Sequence, residues 1–427
     1  MSTRRGSSVL VAAMTAGLAL IRWTTPSASE MGDALRAALD HPSVDARAEE
    51  SEAAQQELSA ANRRYFGNGG LSAEAARYED LRFIGVLSPT TLAAPPFDRN
   101  ATRYGVAYSV PIDLFGAISA ARQAARSNLE AAQLAERQQL LMKLHDATSA
   151  YVQLQALRRQ EAALASQRQR VTATVERVRR EVQVQLAAGV DLKLAESETA
   201  RITSDEVRLR GSIDEARAAL EEATGSAVSV ADLPMRIPPW PSATSVERAL
   251  PLLLAQAQAS ASRAQAREAH RSLLPSVAAV GDYSQFSVEG APDAWSIGAR
   301  FTVPLDAAAY RRANAADARA RAAARREAAA AGELTRQWTQ LKAAYESAVA
   351  DIAAVDQEVM ARREVVNVQG ELQRVGITSM EDFLRQQRDL VESESRQAAA
   401  QARAIIAWSA AQVLLGSDSE SYIAQVE

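Results

Sequence analysis

The sequence predicts a mainly α-helical protein with a smaller β component, built twice over on one plan of very long coiled-coil helices and a β-hairpin. Three observations predict it. Two proline-free blocks of about 122 residues follow Pro111 and Pro304. Each block opens on the same phrase, Val110-Pro111-Ile112-Asp113 and Val303-Pro304-Leu305-Asp306, and runs on into an Ala- and Arg-rich segment. Of 21 Phe, Trp and Tyr residues, eight fall within 65–115 and five within 283–310, so these two windows pack differently from the rest of the chain.

Composition narrows the classes of function. With 48 Lys+Arg against 52 Asp+Glu the formal charge of the 427 residues is −4, which lacks the electrostatic footprint of a nucleic-acid binder. The apolar fraction of 47% is too high for a disordered chain. There is no cysteine, which excludes disulfides, thiolate metal sites, nucleophilic thiols and lipid attachment through an N-terminal Cys. Three histidines leave little imidazole chemistry, and His41, His145 and His270 are expected on the surface.

The segment 1–29 reads as a secretory signal peptide. Arg4 and Arg5 precede an uncharged run from Ser7 to Ile21, followed by small residues around Pro26-Ser27-Ala28-Ser29. The apolar core, Val9 to Ile21, falls short of the roughly 20 residues a spanning helix needs, which disfavours the alternative of a membrane anchor.

The first repeat, 30–233, is expected to hold a helix, a hairpin at about 80–112, a long helix at about 116–187 and a returning helix at about 191–224. A Pro-rich linker at 234–245 leads to the second repeat, 246–417. There a helix precedes a hairpin at about 275–305, a long helix at about 307–374 and a returning helix at about 380–415, and 418–427 is a C-terminal tail. At 1.5 Å per residue each long helix spans roughly 100 Å. Leu334, Trp338, Leu341, Tyr345, Ala348, Ile352, Val355 and Val359 alternate steps of four and three, the spacing of a coiled-coil seam, as do Val171, Val175, Val178 and Val182. The long helices are expected to break at glycines, in Ala188-Gly189-Val190 and Val375-Gly376-Ile377, where a helix C-terminal glycine belongs. The spacing from Asp191 to Gly225 equals that from Asp382 to Gly416, so the returning helices match.

In the hairpins apolar and polar residues alternate. Tyr104, Val106, Tyr108 and Val110 interleave with Arg103, Gly105, Ala107 and Ser109; Trp295, Ile297, Ala299 and Phe301 interleave with Ser296, Gly298 and Arg300. Such alternation suits a transmembrane β-barrel or a pair of half-buried hairpins in a soluble protein. Four strands cannot close a membrane barrel, so a lipid-facing reading requires several chains to pool their strands.

This layout, doubled and in this order, resembles the TolC-like outer-membrane efflux protein family. The resemblance rests on the paired Val-Pro-hydrophobic-Asp junctions, the Leu274-Pro275 entry to the second hairpin and the two glycine-bearing tips. It implies a homotrimer with a 12-stranded outer-membrane β-barrel continued by a periplasmic α-helical barrel. Tyr104, Val106, Tyr108, Trp295, Ile297 and Phe301 would face outer-membrane lipid. Gly189, Val190, Val375, Gly376 and Ile377 would meet a periplasmic adaptor protein, and an inner-membrane pump, proton-driven or ABC, would supply the energy. Asp382, with Glu381 beside it, matches a position of the periplasmic gate. Arg385, one turn on, stands where some members carry a second acid, so an Asp382–Arg385 tether replaces a double Asp ring. Asp191 is not equated with a gate residue, because the first tip reads as shorter than the second, by about one helical turn.

The implied function is a passive exit duct of a tripartite efflux system. The alternatives are the outer-membrane component of type I protein secretion and a non-transport periplasmic coiled-coil scaffold. No phosphate-cradling loop, metal-ligand spacing or nucleophile elbow is present in the sequence, so neither catalysis, a metal nor another cofactor is expected.

Overall fold

In the computed structural model, residues 30–230, 236–242 and 249–426 are described. The signal-peptide segment and parts of the expected linker lie outside the described residues. Nine α-helices and four strands follow one another among them, and their order repeats. Helices α1 (Glu30–Leu39) and α2 (Pro42–Arg63) lead into strands β1 (Asn68–Phe83) and β2 (Phe97–Ile112), separated by the single-turn helix α3 (Pro89–Ala93). The 67-residue α4 (Ala117–Gln183) and the 36-residue α5 (Gly189–Thr224) complete the first repeat. The second repeat runs α6 (Leu250–Arg271), β3 (Ser276–Phe286), β4 (Ala294–Thr302), the 68-residue α7 (Ala307–Arg374) and the 36-residue α8 (Met380–Leu415).

The duplicated Val-Pro-hydrophobic-Asp phrase is a strand-to-helix joint. Proline stands in the last pair of β2 residues and just beyond the end of β4, and the aspartate caps the helix that follows. Asp113 accepts hydrogen bonds from the backbone N–H of Ile118 at 3.0 Å and of Ser119 at 2.9 Å. Asp306 accepts one from Ala308 N–H at 2.8 Å. Gly116, at φ +72°, turns the chain between β2 and α4, and a Cβ there would lie 2.1 Å from the Arg271 guanidinium.

The four strands form one antiparallel sheet in the order β1-β2-β3-β4. Each strand is continued by a helix, so the helices beneath inherit that order: α2 packs on α4, α4 on α6, and α6 on α7. In the half away from the sheet the wall becomes α5, α4, α8, α7, as the returning helices replace α2 and α6. Val171, Val175 and Val178 are buried in the α4 seam, and Leu334, Ala348, Ile352, Val355 and Val359 in that of α7. By length and composition α8 is apolar enough to cross a membrane, but 56% of its apolar stretch is buried in this wall.

Three features differ from the sequence expectation. The first hairpin spans 68–112, because β1 begins at Asn68, well before the expected start near 80. Its early half, Asn68-Gly69-Gly70-Leu71-Ser72-Ala73-Glu74, is rich in Gly, Ala and charge and lacks the β-branched residues that mark a strand. The C-terminal segment is not a tail: Ser419–Val426 form α9, whose fully buried Tyr422 packs tilted against Trp408, ring centroids 5.1 Å apart, and shares a hydrogen bond with Thr148 at 2.7 Å. Burial pushes the Tyr422 hydroxyl up to about 12, so it stays a neutral hydrogen-bonding anchor. The third is His145, expected on the surface, which is partly buried and bonds through Nδ1 to Ser409 Oγ at 2.7 Å. Burial lowers its pKa and keeps it neutral.

Asp113 gives the joint a pH dependence. Burial raises its pKa, but the hydrogen bonds from Ser119, Ile118 and Ala117 together outweigh that and hold it below the usual carboxylate value. A depressed folded pKa stabilises the fold above the unfolded pKa of about 3.9 and loses that contribution as pH falls through the folded value. Replacing Asp113 by Ala is therefore expected to cost about 1 kcal/mol at neutral pH. The difference from wild type should shrink in acid below about pH 4, as read from melting temperatures across a pH series.

Candidate functional site

Register divides the sheet into two chemically different faces. On one face Val106 of β2 lies opposite Leu71 of β1 and Tyr283 of β3, and Tyr283 in turn lies opposite Trp295 of β4. The same parity places Tyr104, Tyr108, Ile112, Val277, Ile297 and Phe301 on this face, across all four strands. The other face carries Ser72, Glu74, Arg103, Ser109, Asp282, Ser284, Ser296 and Arg300. There Glu74 stands opposite Arg103, which donates to Ser284 Oγ from its Nε at 3.1 Å.

Neither face is covered. Trp295 is 73% and Ile297 81% exposed, and among the described residues no helix packs across the sheet. The outer strands β1 and β4 each lack a neighbour on one side among the described residues. The six residues expected to face lipid are thus brought onto one surface together, with Leu71 and Tyr283 added by register.

At the opposite end of the molecule the two helical hairpins turn by the same motif. After α4, Leu186 N–H donates to Glu181 O at 2.8 Å and Gln185 N–H to Val182 O at 3.1 Å. After α7, Ile377 N–H donates to Leu372 O at 2.9 Å and Gly376 N–H to Gln373 O at 3.2 Å. This is the six-to-one and five-to-two pairing that closes a helix C-terminus with a left-handed residue. Gly376 supplies it at φ +75° and Gln185 at φ +62°.

The first break is therefore at Gln185 and not at Gly189, which is the first residue of α5 and has open space around it. The exposed tip triplets are Val184-Gln185-Leu186 and Val375-Gly376-Ile377. Gly189 and Val190 sit one turn further on, in the first turn of α5. The two tips are also of equal length, Val184 to Ala188 matching Val375 to Ser379 between helices. Asp191 consequently occupies the place in α5 that Asp382 occupies in α8, which corrects the expectation that the two are not equivalent. Residue type misled the sequence reading, since glycine is the common but not the obligatory left-handed cap. The constant offset between the repeats, already present in the pairs Asp191/Asp382 and Gly225/Gly416, was the signal for Val184 and Leu186.

The expected gate residues are adjacent at the start of α8. Ser379 caps the helix by accepting from Asp382 N–H at 3.0 Å, and Arg385 Nη2 lies 2.5 Å from Asp382 Oδ1. Glu381 is exposed beside them. At the corresponding place in α5 Leu194 replaces Arg385, so Asp191 has no basic partner one turn on.

Just inward, polar groups tie the hairpins together. Glu198 of α5, 7% exposed, accepts from Gln167 Nε2 of α4 at 3.1 Å and pairs with Arg201 at 2.7 Å. The hydrogen bonds that Arg201 donates to Glu198 hold the Arg201 pKa above its ordinary value. Between α7 and α8, hydrogen bonds from Arg362 and Arg396 depress the pKa of Glu358. No group of His, Asp or Glu able to hold a metal occurs among the described residues.

Residues 36–226 match the family model described as outer membrane efflux protein. The match falls within the first repeat. Solved structures extend the likeness in fold to both repeats. A membrane protein from Pseudomonas aeruginosa superposes with a TM-score of 0.76 at 18% identity, covering 91% of this chain and 93% of that one. The outer membrane protein VceC from Vibrio cholerae gives 0.75 at 19%, over 91% and 96%. The CmeC outer membrane channel of Campylobacter jejuni gives 0.77 at 14%, over 93% and 89%. No curated protein matches the chain. The fold is that of the outer-membrane channels, TolC-like in plan.

The left-handed Gln185 carries a conformational cost of about 1 kcal/mol that glycine avoids. Gln185→Gly is expected to raise stability by about that amount, and Gly376→Ala to lower it by as much, in thermal unfolding of the purified protein.

Proposed function

We propose that this outer-membrane efflux channel works as a homotrimer. It serves as the passive exit duct of a tripartite system whose energy comes from an inner-membrane pump, proton-driven or ABC, through a periplasmic adaptor. The observation that carries the reading is a four-stranded sheet open at both edges, with one apolar and one polar face. Backbone groups in a bilayer must be hydrogen-bonded within the protein, which leaves a closed barrel as the way for such a sheet to exist there. Three copies joined β4 to β1 would supply twelve strands, with Tyr104, Val106, Tyr108, Trp295, Ile297 and Phe301 toward lipid and Arg103, Asp282 and Arg300 toward a water-filled lumen.

The helical wall supports the same assembly. Its outermost members in the tip-side half, α5 and α7, each have an edge with no neighbour among the described residues, and both carry exposed apolar residues: Leu194 and Val207 on α5, and Met360, Val365 and Val368 on α7. Sealing α5 of one copy against α7 of the next would continue the barrel as a tunnel roughly 100 Å long. The exposed triplets around Gln185 and Gly376, with Gly189 and Val190 nearby, would be the surfaces an adaptor meets. Asp382 and Arg385 would tether the periplasmic gate, with Glu381 alongside.

The absence of native cysteine makes the face assignment directly testable. Single substitutions Ser109→Cys and Arg300→Cys are expected to react with a water-soluble maleimide in outer-membrane preparations, whereas Tyr104→Cys and Ile297→Cys are shielded by lipid. A purified chain that stays monomeric and monodisperse without detergent would overturn the reading. For the gate, Arg385→Glu replaces the Asp382 tether by like charges, and single-channel conductance in planar bilayers is expected to rise severalfold. Unchanged conductance would remove Asp382 and Arg385 from the gate.

A further inference from the structure

We propose that a basic groove between α6 and α7, just beneath the sheet, binds the phosphate-bearing headgroup of an anionic phospholipid in the leaflet that meets the helices. The proposal rests on the reading of the apolar sheet face as the lipid side. The groove has a volume of about 560 Å³ and is lined by Arg263, Arg267, His270 and Arg271 of α6 and by Asp317 of α7. Arg263 pairs with Glu327 at 2.8 Å and His270 with Asp317 at 2.8 Å. Arg267 is exposed and lies between them, one turn below Arg271, whose Nη1 donates to Gly116 O at 2.9 Å at the top of α4. The groove therefore begins at the boundary between sheet and helices.

Chirality decides which side of the wall it occupies. Thr102 shares the face of Tyr104, and its backbone bonds toward β3: Ser287 N–H donates to Thr102 O at 2.9 Å, and Thr102 N–H donates to Ser287 Oγ at 3.0 Å. For L-residues on a strand running toward the helices, this places β3 to the left of β2 when the sheet is seen from its apolar face. Beneath β3, α6 then rises with α4 on its right and α7 on its left. Gln265 bonds to Asn128 of α4 at 3.0 Å, and His270 and Arg263 reach α7, which sets the rotation of α6. Right-handed winding of about 100° per residue turns Arg263, Arg267 and Arg271 toward the viewer, on the side of Tyr104 and Trp295. The opposite, polar-face side of α6 receives Ser262, Gln265 and Ala269.

Apolar residues complete the site from above. Leu274 and Leu305, in the joints on either side of the hairpin, and Tyr310, in the first turn of α7, are exposed. They stand where acyl chains would meet the protein. Arginine stems reach upward from the groove to the phosphate level, as basic side chains do at a membrane boundary.

The test uses the full-length protein purified in non-ionic detergent, with lipid retention read by native mass spectrometry. Wild type is expected to retain phosphatidylglycerol in preference to phosphatidylethanolamine. Arg267→Ala should retain about fivefold less phosphatidylglycerol, the factor for losing one basic contact to an anionic headgroup. Its melting temperature without added lipid should be unchanged, since Arg267 is exposed on the groove wall. Equal retention by wild type and Arg267→Ala overturns the proposal. So does equal retention of free inorganic phosphate, which would mark an anion site unconnected with lipid. Failure of wild type to insert into vesicles would instead defeat the channel reading, whereas insertion with no Arg267 effect defeats only the headgroup site.

Discussion

Unsatisfied backbone hydrogen bonds at the edges of the four-stranded sheet are the constraint on which the rest of this molecule depends. In water, an edge strand is solvated; in hydrocarbon, each orphaned N–H or C=O costs several kcal/mol. The sheet presents one mainly apolar face and one mainly polar face, and no helix among the described residues packs across either. It can persist only where two solvents of opposite character meet, and only if its edges find partners.

The sheet also dictates the helical wall. Because each strand runs directly into or out of a helix, the order β1-β2-β3-β4 becomes the order α2-α4-α6-α7 with no further choice. The two proline-aspartate joints make this transmission rigid. Asp113 and Asp306 satisfy helix N–H groups within a few residues of the last strand position, so the direction of a strand is handed to a helix with little slack. The connection of α6 to β3 is held differently, through Arg271 reaching across to Gly116.

Away from the sheet the wall changes character. Toward the tips the α4 and α7 seams run on to Val178 and Val366, interleaved with polar ties such as Glu198 with Gln167 and Glu358 with Arg396. Gln387 of α8 is fully enclosed there, and its amide atoms have no hydrogen-bond partner among the described residues. A hydrophobic seam is non-directional and resists separation, whereas hydrogen-bonded ties can be exchanged for water or for other partners at small net cost. The tip-side wall holds both kinds of contact, a seam that keeps the helices together and ties that can be exchanged.

The sequence by itself determined the duplication, the long helices and the alternation of the hairpins, because these are local properties: prolines are excluded from helices, seams repeat every 3.5 residues, and strand faces repeat every two. It also placed Asp382 beside Arg385, since i, i+3 neighbours on a helix meet whatever else happens. Tertiary structure decided what depends on partners distant in sequence. The weakly β-forming stretch from Asn68 to Ala76 becomes strand because β2 supplies its hydrogen bonds, and Gln185 accepts a left-handed conformation because the helix terminus closes around it. The C-terminal residues fold into a helix because Thr148 and Ser409 offer Tyr422 a buried place to bond. The sidedness of the arginines on α6 follows only from the hydrogen-bond direction of Thr102 and the handedness of the helix, neither of which a linear pattern of residues contains.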